Sequence, residues 1–148
     1  MLKKENFVEY FSHGIKTKGQ ERVGTEHEKF IYDKNDLSLI PFNGEPSISL
    51  VLNKFIDDGW EANIEKDIVV GASKNNASIT LEPGGQFELS GAPLTSLHET
   101  CREINDHLSF TKSLEAELNI GFLGIGFIPL GGFNEMTKVP KKRYQQIM

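Results

Sequence analysis

The chain is poor in cysteine, in excess positive charge and in long apolar runs, and each shortage closes off a class of function. A single cysteine, Cys101, excludes an internal disulfide framework and any multi-cysteine zinc site, and it suits a reducing compartment. With 16 Lys and Arg against 21 Asp and Glu, the net charge of -5 argues against a domain that works by neutralising nucleic-acid phosphates. No stretch approaches the ~20 consecutive apolar residues that span a bilayer. The N-terminal MLKKENFVEYF begins with charge but lacks the apolar run and small-residue cleavage site of a signal peptide. Repeats, low-complexity tracts and Pro/Ser-rich linkers are missing too, so the 148 residues read as one continuous segment. These absences lead to the expectation of a cytoplasmic protein acting on small molecules, with no nucleic-acid or membrane partner.

What is present is an alternation of helical and strand-like segments, an α+β pattern. Phe7, Tyr10 and Phe11 recur at helical spacing between Glu5 and His13, and Gly14 follows as a stop. Arg22 to Asp33 predicts a strand that closes on the turn-like Lys34, Asn35 and Asp36. Pro46 suits the first turn of a helix through Ile48, Leu52, Phe55 and Ile56, ended by Gly59. Two strands, Trp60 to Ile64 and Ile68 to Ala72, precede a hairpin turn at Lys74, Asn75 and Asn76 and a return arm from Ala77 to Leu89. Pro83, Gly84 and Gly85 predict a bulge or bend within that arm. Ser96 and Glu99 make a capping box for a long helix whose apolar face is expected to be Leu97, Cys101, Ile104, Leu108 and Leu118, with Cys101 buried as a small hydrophobe. Gly121 to Phe133 reads as a glycine-interrupted strand.

The chemistry sits in ITLEPGGQFELSGAP, Ile79 to Pro93. Ile79, Leu81, Phe87 and Leu89 share one parity, while Thr80, Glu82, Gln86 and Glu88 share the other. Side chains alternate faces along a strand, so one face is apolar and the other carboxylate-bearing. Glu26 and Glu28 likewise project from one face of the earlier strand, about 6.6 Å apart along it. If the two acidic faces coincide, like charges roughly 5 Å apart repel by about 3 kcal/mol at an effective dielectric near 20. Two outcomes stand open at this level: a solvated polar face, or a set of hard oxygen ligands for Mg²⁺ or Mn²⁺. His27 falls on the opposite parity to the glutamates. His98 and His107 are assigned no chemistry.

The runs VGTEHEKF, SITLEPGGQFELSGAPLTSLHETC, IGFLGIGF and PKKRYQQIM, in this order, resemble the plant and proteobacterial type of glutamate-cysteine ligase, within the glutamine-synthetase-like carboxylate-amine ligases. The resemblance implies an antiparallel β-sheet with helices packed on one face, part of a glutamine-synthetase-like catalytic fold. It implies that residues 1–148 are the N-terminal part of a larger catalytic domain, and ATP- and Mg²⁺-dependent joining of glutamate to the cysteine amine through γ-glutamyl phosphate, the first step of glutathione synthesis. Glu26, Glu28, Glu82 and Glu88 become the implied metal ligands, and Gln86 and Arg143 the implied substrate contacts. A redox disulfide at Cys101, as plant members are associated with, would need a partner outside this segment. After GIGF the family pattern continues with a polar residue and Pro-Lys-Trp, whereas this chain has Ile128, Pro129, Leu130 and Gly131. A different amine acceptor is therefore the alternative expectation, beside that of a non-catalytic metal-binding module.

Overall fold

The computed structural model describes residues 1–146. A helix, α1 (Lys4–Gly14), precedes strand β1 (Glu26–Asp33), helix α2 (Ile48–Asp57) and four strands, β2 (Glu61–Glu65), β3 (Ile68–Lys74), β4 (Ala77–Leu81) and β5 (Phe87–Ser90). Helix α3 (Leu97–Glu117) and strand β6 (Ile120–Leu123) come next. The strands form one sheet in the order β2-β3-β4-β5-β1-β6, antiparallel throughout, so the expected fold class is the one observed. The β2–β3 and β3–β4 hairpins turn on Lys66–Asp67 and Asn75–Asn76, all four with positive φ, as two-residue turns matched to strand twist require.

The sheet is covered on one face. Ile31, Ala72, Ile79, Leu81, Phe87 and Leu89 point to that face and pack with Val51, Leu52 and Phe55 of α2 and Leu114 of α3. Phe55 is the hub, with ring centroids 5.5 Å from Phe87, 4.7 Å from Phe110 and 5.4 Å from Trp60. Ser47 starts α2 by accepting the Leu50 N–H through its hydroxyl at 3.2 Å, so the helix begins after Pro46 rather than on it. Ser96 and Glu99 form the reciprocal capping box of α3, as their spacing predicts.

Three expectations fail, each for a tertiary reason. Ala77 to Leu89 is not one bent strand: Glu82 N–H donates to Gln86 O at 2.8 Å and Gly85 N–H to Glu82 O at 3.1 Å, so PGG is the turn of a hairpin joining β4 to β5. The buried face of α3 is Thr100, His107, Thr111 and Leu114, while Leu97, Cys101 and Leu108 are exposed. His107 turns inward to accept from Lys29 of β1, while Thr100 and Thr111 donate their hydroxyls to Ser96 O and Leu108 O of the helix's own backbone. The strand read over Gly121 to Phe133 ends at Leu123, and its far end is instead a short 3-10 turn, Phe133–Glu135. Helix α1 forms as its spacing predicts but buries none of its residues.

Candidate functional site

The open face of the sheet carries the acids. Register places Glu28 opposite Glu88 and Glu26 opposite Ser90 across β1 and β5, while Thr80 and Ser78 of β4 oppose Glu88 and Ser90 from the other side. Two polar rows therefore cross three strands, Thr80–Glu88–Glu28 and Ser78–Ser90–Glu26. Directly opposed residues have Cα atoms about 4.5–5.5 Å apart, so Glu28 and Glu88 are forced neighbours. Glu88 is only 8 % exposed, and its carboxylate is held by two hydroxyls: Ser90 Oγ donates to Oε1 at 2.8 Å and Thr80 Oγ1 to Oε2 at 3.2 Å. Glu26 and Glu28 remain exposed. His27 pairs with Leu89 on the covered face, as parity requires.

Glu82 and Gln86 stand apart from those rows, facing each other at the neck of the β4–β5 hairpin. Arg143 donates to Glu82 Oε1 at 3.2 Å and to the Tyr144 hydroxyl at 2.6 Å, and lies 4.7 Å from the Tyr144 ring centroid. Tyr144 is 3 % exposed and its hydroxyl donates to Leu81 O at 2.7 Å, which anchors the C-terminal 3-10 turn, Lys142–Gln146, on the hairpin. Gly84 and Gly85 both have positive φ, and a Cβ on Gly85 would meet Thr137 at 2.9 Å, so the double glycine serves both the turn and the close approach of this tail.

Lys141 was not singled out by sequence, where the tail reads only as basic. Its ammonium donates to Leu81 O at 2.8 Å. Burial lowers its pKa, helped by Arg143, while Glu82, Glu65 and Glu88 oppose that shift. It is thus a half-buried cation within electrostatic reach of both the hairpin acid and the strand acid.

The donor chemistry of Glu26, Glu28 and Glu88 fits a hard divalent cation: oxygen only, on a rigid sheet, with one carboxylate oriented by hydroxyls. Their convergence is incomplete, because among the described residues no three acidic, His or Cys side chains are grouped closely enough to hold an ion. Glu82 is engaged by Arg143 instead.

Behind this face lies a buried polar contact that sequence reading also missed. Lys29 Nζ sits 3.1 Å from His107 Nε2, with both residues buried. Burial lowers the Lys29 pKa to about 8, and burial together with Lys29 and His27 lowers that of His107 to about 3. The imidazole is therefore neutral at pH 7 and accepts from the lysine through Nε2, which leaves a buried Nδ1–H without a partner among the described residues. A lysine between His27 and Phe30 on a strand was the available signal, because parity turns it toward the helices.

The family described as glutamate-cysteine ligase family 2 (GCS2) matches residues 22–148. A chloroplastic glutamate-cysteine ligase of Medicago truncatula is 46% identical over 97% of this chain, and that of Arabidopsis thaliana 44% over 97%. Glutamate-cysteine ligase A of Oryza sativa subsp. japonica, also named chloroplastic, is 44% identical over 97% of the chain. The chain spans only 28%, 27% and 29% of the length of these relatives respectively. Their names overturn the cytoplasmic expectation, which rested on the want of a leader pattern in the first residues of a chain much shorter than its relatives. With a family match over residues 22–148 that includes both acidic strands and the hairpin between β4 and β5, the chain belongs to glutamate-cysteine ligase family 2.

Proposed function

We propose that this chain supplies part of the catalytic sheet of an ATP-dependent ligase that joins the γ-carboxylate of glutamate to the amine of cysteine. The observation that carries this reading is the opposition of Glu28 and Glu88, with Glu26 beside them, on the uncovered face of a sheet in a chain of this family. Like-charged residues directly opposed on neighbouring strands are destabilising, a cost that a bound cation would remove. Glu26, Glu28 and Glu88 would hold Mg²⁺, which when bound neutralises phosphate charge. Lys141 adds a fixed positive charge on the hairpin side, and Arg143 is the candidate contact for a phosphate or substrate carboxylate once released from Glu82. Gln86 offers an amide at the same end of the strand.

The chemistry on this platform is two successive displacements. A γ-carboxylate oxygen of glutamate bonds to the terminal phosphorus of ATP as ADP leaves. The amine nitrogen then bonds to the acyl carbon as phosphate leaves and the nitrogen gives up a proton. Neither step needs a protein nucleophile, only positioned charge. The test is ADP release by the intact gene product with glutamate, cysteine and Mg²⁺. Release that requires both amino acids supports the reading, and release indifferent to them refutes it.

A further inference from the structure

Glu103 is a carboxylate that neither the acidic face nor the buried Lys29–His107 contact uses. It sits on α3, the helix packed on the covered side of the sheet, and reaches the place where the start of β1 meets the chain leaving β5. The β1–β5 ladder sets Glu26 against Ser90 and, if continued, would set Val23 against Pro93, yet Val23 bridges Leu94. The segment after β5 therefore carries one extra residue, a bulge just beyond the last pair of the ladder. Within it Gly91 N–H donates to Thr25 O at 2.6 Å, and Pro93 has no N–H to give. Ala92 is 6 % exposed, and its N–H donates to Glu103 Oε1 at 2.9 Å. Gly91 makes room for this contact. A Cβ there would collide with Glu103 Oε2 and lie 2.8 Å from Thr25 Oγ1, two buried oxygens without a hydrogen-bond partner among the described residues.

Resting on the ligase reading above, we infer that Glu103 is a positioning residue for the cation-binding carboxylates: by closing the bulge it fixes Ser90 and Glu26, and through the Ser90 hydroxyl it fixes the carboxylate of Glu88. The path is short. Ala92 lies two residues after Ser90, whose Oγ donates to Glu88 Oε1 at 2.8 Å, and Thr25 adjoins Glu26. Ser90 and Glu26 are the end pair of their ladder, and strand ends are where local opening is easiest. A hydrogen bond from a backbone N–H to a carboxylate is roughly twice as strong as one between neutral groups, so this tie is well suited to hold that end shut. Glu103 acts from behind the sheet and meets neither the cation nor a substrate. Partners of metal ligands that act in this indirect way typically change metal affinity by about 10- to 100-fold when removed.

The experiment titrates Mg²⁺ against ADP release, with glutamate, cysteine and ATP saturating, in the intact gene product and its Glu103→Ala and Glu103→Gln variants. Alanine should raise the Mg²⁺ concentration for half-maximal release by about 10- to 100-fold, while kcat at saturating Mg²⁺ stays within about twofold, because the ligands are loosened and not lost. Glutamine should restore the wild-type Mg²⁺ requirement to within about threefold, since its amide oxygen still accepts the Ala92 N–H. A residue that merely supports the fold would lower kcat at every Mg²⁺ concentration. That pattern, or a glutamine variant as impaired as the alanine one, overturns the inference. A second arm follows backbone hydrogen exchange over residues 87–92 in the same three proteins without substrates. Exchange should quicken with alanine and not with glutamine, and unchanged exchange with alanine overturns the inference whatever the activity. ADP release indifferent to both amino acids would sink the ligase reading alone, and calorimetric Mg²⁺ affinity then decides beside the exchange: affinity lost with alanine and regained with glutamine supports the role of Glu103, and equal affinity in all three proteins overturns it.

Discussion

Replacing Lys29 by methionine should stabilise the folded chain at neutral pH, although it removes a hydrogen bond. Lys29 is 7 % exposed and has no carboxylate partner among the described residues; its ammonium meets only His107 Nε2 at 3.1 Å and His27 O at 3.5 Å. Burial alone lowers its pKa from 10.5 to about 8. That difference corresponds to about 3 kcal/mol by which the protonated lysine opposes folding at pH 7. Methionine fills similar volume without charge, and leaving His107 Nε2 without its donor returns about 1 kcal/mol, for a net gain of about 2 kcal/mol. The pH dependence has a definite sign. Below about pH 8 lysine is charged in both states and the deficit is complete. Between about 8 and 10.5 the native state gives up its proton first and stability rises with pH, and above 10.5 the deficit is gone. Urea unfolding at pH 7 and pH 9.5, compared between wild type and Lys29→Met, reads both quantities. A variant less stable than wild type at pH 7, or one that keeps the alkaline rise, refutes the reasoning.

The partner of that contact predicts the acid limb. With a native pKa of about 3 against 6.5, His107 stays neutral in the fold, so stability should fall by up to about 2 kcal/mol from pH 6.5 to pH 5, and His107→Gln should flatten most of that slope in thermal scans. Exchanging Glu28 or Glu88 for glutamine should leave the fold equally or more stable by about 1 kcal/mol, since repulsion is relieved, while Mg²⁺-dependent ADP release by the intact gene product drops ~100-fold or more; unchanged turnover in both variants ends the cation assignment. Gly71→Ala should destabilise by about 3 kcal/mol in urea unfolding, because its Cβ would lie 2.6 Å from the carbonyl oxygen of Ile79 and the β3–β4 ladder cannot yield.

Features that depend on near neighbours were legible in the sequence. Alternation put Glu26 and Glu28 on one face and His27 on the other, and the capping box at Ser96 and Glu99 and the turn at Asn75–Asn76 formed as their spacing requires. These features come from strand pleat, orphan helix N–H groups and left-handed turn residues, all set within a few positions of chain. The motif runs were also enough to identify the family. Which strands lie side by side is a matter of tertiary structure. The placement of β1 between β5 and β6 is what sets Glu28 against Glu88, and no local pattern encodes that adjacency. Long-range packing likewise makes PGG a hairpin turn occupied from behind by the Thr137–Tyr144 tail, and brings Arg143 to Glu82. The expected face of α3 failed in part for the same reason, since Leu118 does pack against the core and Ile104 is half-buried. Periodicity favours the leucines, but burial of Lys29 on β1 demands an acceptor from the helix, so His107 turns inward and Leu97, Cys101 and Leu108 turn out. A buried charge must find a partner wherever the chain can bring one, and that requirement acts across distances that a linear pattern does not record.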